Sequence, residues 1–258
     1  MERTGRPLAN TLEAVVSEVR RVLAGELVGL YLYGSSVSGG FDEGISDIDL
    51  VGVTSSEVET IDLAGLDQMH QDFVSRHPEW RDRLEIVYIG RATLRSFRAS
   101  SGHLAVISPG EPFHVVGGVA DWLQNWYLVR ETGITLFGAD AAQIFPPVTW
   151  AEFVAATVRY ADEVRGWSRI EAGSGPVAYA ILTMCRALYT VRNGAQSSKQ
   201  VAAAWTRERK PDWAWLIDAA MDARGSRGRK GFANEGSRAA AEMFIGLIAD
   251  EISGDARS

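Results

Sequence analysis

Residues 30–53, LYLYGSSVSGGFDEGISDIDLVGV, decide the fold. Leu30, Tyr31, Leu32 and Tyr33 form an apolar, β-prone run that stops at Gly34. Glycine permits a tight turn and a close backbone approach. Ser35 and Ser36 add hydroxyls and backbone N–H groups suited to phosphate oxygens. After a loop containing Gly39, Gly40 and Gly44, a second strand carries Asp47 and Asp49. Side chains on a strand alternate faces, so the two aspartates project together while Ile48 and Leu50 point into the core. Paired carboxylates a strand step apart are oxygen ligands for Mg²⁺, which completes its octahedron with phosphates and water.

Neither half of this pattern is specific alone. The two halves together, with eleven residues between Ser35 and Asp47, resemble the signature of the DNA polymerase β-like nucleotidyltransferases. A plain hairpin with a solvated acidic edge leaves both the glycine-serine turn and the same-face aspartates without a reason.

Outward from this stretch, Asn10 and Glu13 read as a capping box opening a helix that ends near Gly25. Ser55 to Arg76 reads as one further helix, closed by Pro78. Leu84–Ile89, LEIVYI, is a third strand whose one charge is Glu85. Residues 91–120, with His103, Pro109, Pro112, His114 and Gly117-Gly118, read mostly as loop. Asp121 to Glu131 looks helical, with Trp122, Trp126 and Tyr127 assigned to the core ahead of a cleft. Phe137-Gly138 and Pro146-Pro147 mark a boundary. Beyond it the pattern is all helix. Thr149 with Glu152 forms another capping box, Gly173-Ser174-Gly175-Pro176 reads as a linker, and four more helices follow, the last over Ser237–Ile252. The expected domains are 1–147 and 148–258. The expected fold class is an α/β N-terminal domain with a small mixed sheet, followed by an all-α helical bundle.

Composition narrows the function. The 258 residues carry 46% hydrophobic and 23% charged side chains, ordinary for a globular protein. The net charge of −7 opposes a role in gripping nucleic acid. Through Val148 there are 20 acidic and 11 basic residues, and thereafter 13 and 15. The first part is suited to cations, the second to polyphosphate. The N-terminus MERTGRPLAN lacks an apolar export segment, and no apolar run has membrane-spanning length. With one cysteine, Cys185, read as a buried small hydrophobe, the expectation is a cytoplasmic protein without disulfides. The basic glycine-rich run Gly225–Gly231 is not a P-loop, because Lys230 is not followed by Ser or Thr and no strand precedes it.

Over most of its length the chain resembles the aminoglycoside nucleotidyltransferases of the streptomycin/spectinomycin adenylyltransferase type. The landmarks are LYLYGSSVSGG, SDIDL, the start of LEIVYI, ITLFG at 134–138, LTMCRALYTVRNG at 182–194 and SKQVAAAW at 198–205. The resemblance implies an N-terminal nucleotidyltransferase domain, a helical second domain, and ATP and drug in the cleft between. It implies ATP as co-substrate, two Mg²⁺ ions, a small cationic acceptor and a monomer, without nucleic acid or membrane. Residue by residue, it assigns Gly34, Ser35 and Ser46 to the nucleotide, Asp47, Asp49 and Glu85 to metal and catalysis, Glu85 as general base, and Lys199 to the ATP phosphates. The chain departs from the family after Glu85, at Gly110-Glu111-Pro112, where members often have Gly-Glu-Trp. It departs again at 173–176, where members that accept streptomycin tend to have an aromatic and an acid. These departures favour a spectinomycin-like acceptor over streptomycin. Two other readings are a catalytically silent nucleotide-binding regulatory module and a nucleotidyltransferase acting on a protein or nucleic acid.

Overall fold

The computed structural model describes residues 6–167, 174–226, 232 and 235–255. The chain divides into two compact units, Met1–Val148 and Thr149–Ser258.

The first unit runs α1 (Arg6–Leu23), β1 (Leu27–Tyr33), the single turn α2 (Ser35–Ser38), β2 (Ile48–Thr54), α3 (Leu63–Arg76) and β3 (Leu84–Gly90). It continues with α4 (Arg91–Arg95), β4 (Leu104–Ile107), β5 (His114–Val116), α5 (Leu123–Thr132), β6 (Ile134–Gly138) and α6 (Ala141–Ile144). Its six strands form one mixed sheet of order β5-β4-β3-β2-β1-β6. Only β2 and β3 pair in parallel; the other pairs are antiparallel. A parallel pair needs a crossover, and α3 supplies it.

Strand alternation sorts the sheet into two faces. Leu30, Leu32, Ile48, Leu50, Leu84 and Ile86 share one core with Leu12, Val15 and Val19 of α1 and Leu66, Met69 and Phe73 of α3. Trp80 is tied to α1 by its indole N–H, which donates to Thr11 Oγ1 at 3.0 Å. On the opposite face Tyr31 meets Phe145 edge-on, and Phe145 lies beside the fully buried Trp126 of α5.

Several expectations are corrected here. Residues 91–120 are mostly turn and loop, as expected, but they also hold α4, β4 and β5, which the sequence did not mark. Glu57 fastens α4 by accepting from the Thr93 amide and hydroxyl at 3.2 and 2.6 Å. Strands of four and three residues carry too little periodicity to be read locally; the ladder to β3 makes them strands. The segment 55–76 is broken: a 3-10 turn at Val58–Thr60 precedes α3, whose start is capped by Asp62 accepting from the Gly65 amide. The first helix begins at Arg6, so Asn10 lies inside it.

The core on the α1/α3 face contains a buried polar pair. His70 and Tyr88 are both fully buried, with Tyr88 Oη 3.1 Å from His70 Nε2 and Phe113 packed against both rings. His70 Nδ1 has no hydrogen-bond partner among the described residues. Burial pushes the imidazole down to about 4, against a smaller opposing pull from Asp67. Below pH 6.5 the unfolded chain therefore takes up a proton that the folded chain refuses. Stability is expected to fall as pH drops from about 6.5 towards about 4, by an amount on the order of 3 kcal/mol for the native state's full depression. Urea midpoints at pH 7 and pH 4.5 measure it. A His70→Asn variant should lose much of this slope, and an unchanged slope would remove His70 as its source.

The second unit comprises α7 (Trp150–Trp167), α8 (Ser174–Asn193), α9 (Lys199–Arg209), α10 (Ala214–Gly225) and α11 (Glu235–Asp255). The Thr149/Glu152 capping box is present: Glu152 Oε2 accepts from the Thr149 amide and hydroxyl, and the Glu152 amide donates to Thr149 Oγ1. Ser174, Gly175 and Pro176 are the first turn of α8 rather than a linker. Proline is tolerated there because first-turn N–H groups have no intrahelical partner. Glu171, Gly173 and residues 227–231 of the basic loop lie outside the described residues. The unit's core is built from Ile181, Met184, Cys185 and Leu188 of α8 with Leu216, Phe244, Ile245 and Ile248. Cys185 is fully buried, and burial pushes its thiol up to about 12, so it packs as a hydrophobe.

Candidate active site

The site follows from how β1 ends. Tyr33 is the last strand residue, and Gly34 takes φ +71° and ψ −143°, a conformation that side-chain-bearing residues rarely adopt. The chain then closes one helical turn, with the Val37 and Ser38 amides donating to Gly34 O at 3.3 and 3.1 Å. A Cβ at Gly34 would sit 2.1 Å from Asp49 Oδ2. The close approach that the glycine permits is thus to the Asp49 carboxylate on the neighbouring strand. Ser36 Oγ is buried and has no partner among the described residues, a polar atom left for something other than protein.

Register then lines up the chemistry. Tyr33 pairs with Asp49 across β1 and β2, and Asp49 pairs with Glu85 across β2 and β3. Register partners share a face, so Tyr33, Asp49 and Glu85 form a row across three strands. Asp47 lies one residue before β2 and two before Asp49; both are half-buried, while Ile48 between them is fully buried. Ile48 points into the core as expected, whereas Asp47 precedes the strand rather than lying on it.

Arg83 aligns the two carboxylate-bearing strands. Its side chain is buried over the Trp80 ring, with the guanidinium donating to Ser46 O, through Nε at 3.1 Å, and to Glu79 O. The Ile48 amide donates to Arg83 O at 2.8 Å. Ser46 is itself only 5% exposed: its Oγ accepts from the Asp42 amide, and its own amide donates to Asp42 O. In the protein as it stands, Ser46 closes the loop that delivers Asp47.

Tyr33 and Asn125 were not legible as site residues. Tyr33 Oη lies 3.4 Å from Glu85 Oε1 and 2.9 Å from Asn125 Nδ2 of α5. Burial raises the phenol well above its ordinary range, and the charges of Glu85 and Asp49 add to that, so it stays protonated.

Among the described residues no three of His, Cys, Asp or Glu converge as a ready-made metal cage. Mg²⁺ asks for less: one or two carboxylates, the rest from substrate phosphates and water. Asp49 and Asp47 are hard oxygen donors of that kind and fit.

Lys199 belongs to the second unit, at the first position of α9, where Ser198 Oγ caps the helix by accepting from the Val201 amide. Its ammonium sits 4.5 Å from the centre of the Tyr179 ring, whose hydroxyl is 3.0 Å from that of Tyr160. No described helix is long and apolar enough to cross a membrane.

Two family models match. Residues 12–100 match the nucleotidyltransferase domain, and residues 143–250 match the C-terminal domain of aminoglycoside adenylyltransferase. The aminoglycoside (3'') (9) adenylyltransferase of Klebsiella pneumoniae is 25% identical over 213 residues, covering 79% of this chain and 80% of that protein. Proteins of that description from Shigella flexneri and Escherichia coli match to the same extent. Among solved structures, the spectinomycin adenyltransferase AAD(9) from Enterococcus faecialis, crystallised with ATP and spectinomycin, shares the fold. Its TM-score is 0.72 at 16% identity, over 95% of this chain and 99% of that one. A nucleotidyltransferase domain and the C-terminal domain of the adenylyltransferases thus follow one another in a single polypeptide, which is similar to the aminoglycoside adenylyltransferases over most of its length.

Proposed function

We propose that the protein transfers AMP from ATP to a hydroxyl of a spectinomycin-like aminocyclitol, releasing pyrophosphate. The observation that carries this reading is the register of Asp49 against Glu85, one strand pairing away from the Gly34 turn. The acceptor oxygen attacks the α-phosphorus as the bond to the bridging oxygen breaks, and pyrophosphate leaves with that electron pair. The hydroxyl proton passes to Glu85. A sugar hydroxyl is a poor nucleophile at neutral pH, so a positioned base contributes typically 10²–10⁴-fold.

Gly34 and Ser35 hold the triphosphate, with Ser46 keeping the adjoining loop closed. Asp47 and Asp49, with Glu85 beside them, would hold Mg²⁺, which when bound offsets charge on the phosphates. The family resemblance assigns Lys199 to the phosphates as well; within its own unit its ammonium lies over the Tyr179 ring. That a protein of the same fold was crystallised with ATP and spectinomycin supports the choice of ligands.

The acceptor range is expected to be narrow. A guanidinium-bearing acceptor such as streptomycin calls for fixed acids and aromatic faces, and Ser174, Gly175 and Pro176 offer neither. Purified protein with ATP, Mg²⁺ and a panel of aminocyclitols, scored by pyrophosphate release, tests both points. Spectinomycin should turn over and streptomycin should be at least about tenfold slower, the discrimination that one lost charged contact supplies. Efficient streptomycin turnover would overturn the narrow range, and no turnover with any acceptor would overturn the function.

A further inference from the structure

We propose that Tyr33 and Asn125 are positioning residues that hold Glu85 in the orientation needed to take the acceptor's proton. The inference rests on the reading of Glu85 as the base.

Tyr33 and Glu85 stand on β1 and β3, with β2 between them. Neighbouring strands lie about 4.8 Å apart, so the Tyr33 and Glu85 side chains together bridge roughly 10 Å of sheet. Serine or threonine at position 33 could not do this, and phenylalanine would arrive without a donor. Strand β1 needed only an apolar residue here, so the hydroxyl is surplus to packing. It is nevertheless buried: Tyr33 is 4% exposed. Burying a hydroxyl is costly unless it is hydrogen-bonded, and its two partners are Glu85 and Asn125.

Donor bookkeeping gives the direction of the chain. The Asn125 amide nitrogen can only donate, so Tyr33 Oη accepts from it. The one phenolic proton is then left for Glu85 Oε1. At 3.4 Å this bond is longer than a charge-assisted O–H···O⁻ contact, which runs to about 2.5–2.7 Å. It therefore turns the carboxylate without claiming the oxygen outright. Asn125 comes from α5, the helix whose Trp126 is anchored by donating its indole N–H to Val119 O at 3.1 Å. The position of that helix is thus passed through one amide and one phenol to the base.

The test is the single-turnover rate of AMP transfer from ATP–Mg²⁺ to spectinomycin. Tyr33→Phe should slow it about five- to tenfold, the upper part of the range for an ordinary hydrogen bond. Affinity for ATP–Mg²⁺ and KM for spectinomycin should stay within about twofold, since neither ligand is held by the phenol. Asn125→Leu should slow it less, about two- to fivefold, and it carries the test alone should Tyr33→Phe fail to fold. The deciding comparison is made in a Glu85→Gln background. There Tyr33→Phe should cost less than about twofold, because a residue acting through the base has nothing left to act on. An undiminished rate in either folded variant, or an equal loss with and without Glu85→Gln, overturns the proposal while leaving the base role standing. A Glu85→Gln enzyme at wild-type rate, or no transfer by the wild type to any acceptor, overturns the base reading and the proposal with it.

Discussion

Asp49→Asn is expected to cut AMP transfer by more than about a hundredfold, the loss typical of removing one preorganised electrostatic group at a reacting centre. The substitution keeps the side chain's shape, so it still fits against the Gly34 backbone. It removes the charge that a divalent cation needs, from the carboxylate at the centre of the Tyr33–Asp49–Glu85 row. The fold should not suffer. Asp49 and Glu85 are register neighbours, and like charges directly opposite are destabilising, so the neutral variant should unfold at the same temperature or slightly higher. Asp47→Asn, outside the central row, should follow the same pattern. Pyrophosphate release over a Mg²⁺ titration, paired with a thermal melt, makes the measurement. Near wild-type turnover at saturating Mg²⁺ would remove these aspartates as metal ligands.

Gly34→Ala should be as damaging by another route. A residue with a Cβ at φ +71° costs on the order of 1–3 kcal/mol through the backbone alone. The new methyl also meets Asp49 Oδ2 at 2.1 Å and Cγ at 2.8 Å, so the carboxylate or the turn must move. Activity should therefore fall well beyond what lost stability explains. Gly39→Ala is the control. It shares the positive φ, at +77°, but its Cβ would have nothing within 4 Å. It should lose comparable stability and keep most of its activity. Urea midpoints and initial rates for the two variants separate strain from displacement; equal losses of activity would mean that the Asp49 contact carries no weight.

What could be read in advance followed the reach of each interaction along the chain. Strands β1, β2 and β3 announce themselves because each is a seven-residue, mainly apolar run, broken in β2 and β3 by one acid each. The aspartate spacing needs only strand alternation, and the Thr149 capping box only three residues. Glu85 stood out as one charge in an apolar strand, although its register opposite Asp49 needed the folded sheet. Tyr33 and Asn125 lie 92 positions apart, and nothing local marks either as polar machinery. The bond from Arg83 to Ser46 O joins residues 37 positions apart, and nothing local marks it. The three residues of β5 become a strand only through pairing with β4.

The ladder between β1 and β6 has a kinetic meaning. Its closing bond, Tyr31 Oη to Ala139 O, joins residues 108 positions apart, while β1 and β2 are joined through residues 34–47 alone. Loop-closure entropy rises with the logarithm of the distance spanned, and long-range pairings slow folding. During synthesis β1 therefore waits with one edge bare until the ribosome has released residues 134–138. That edge lies in the interior of the finished sheet, so it carries none of the charges or prolines that guard permanent edges. A nascent chain stalled before Ile134 would expose it, and such fragments should aggregate by strand addition where the complete chain does not.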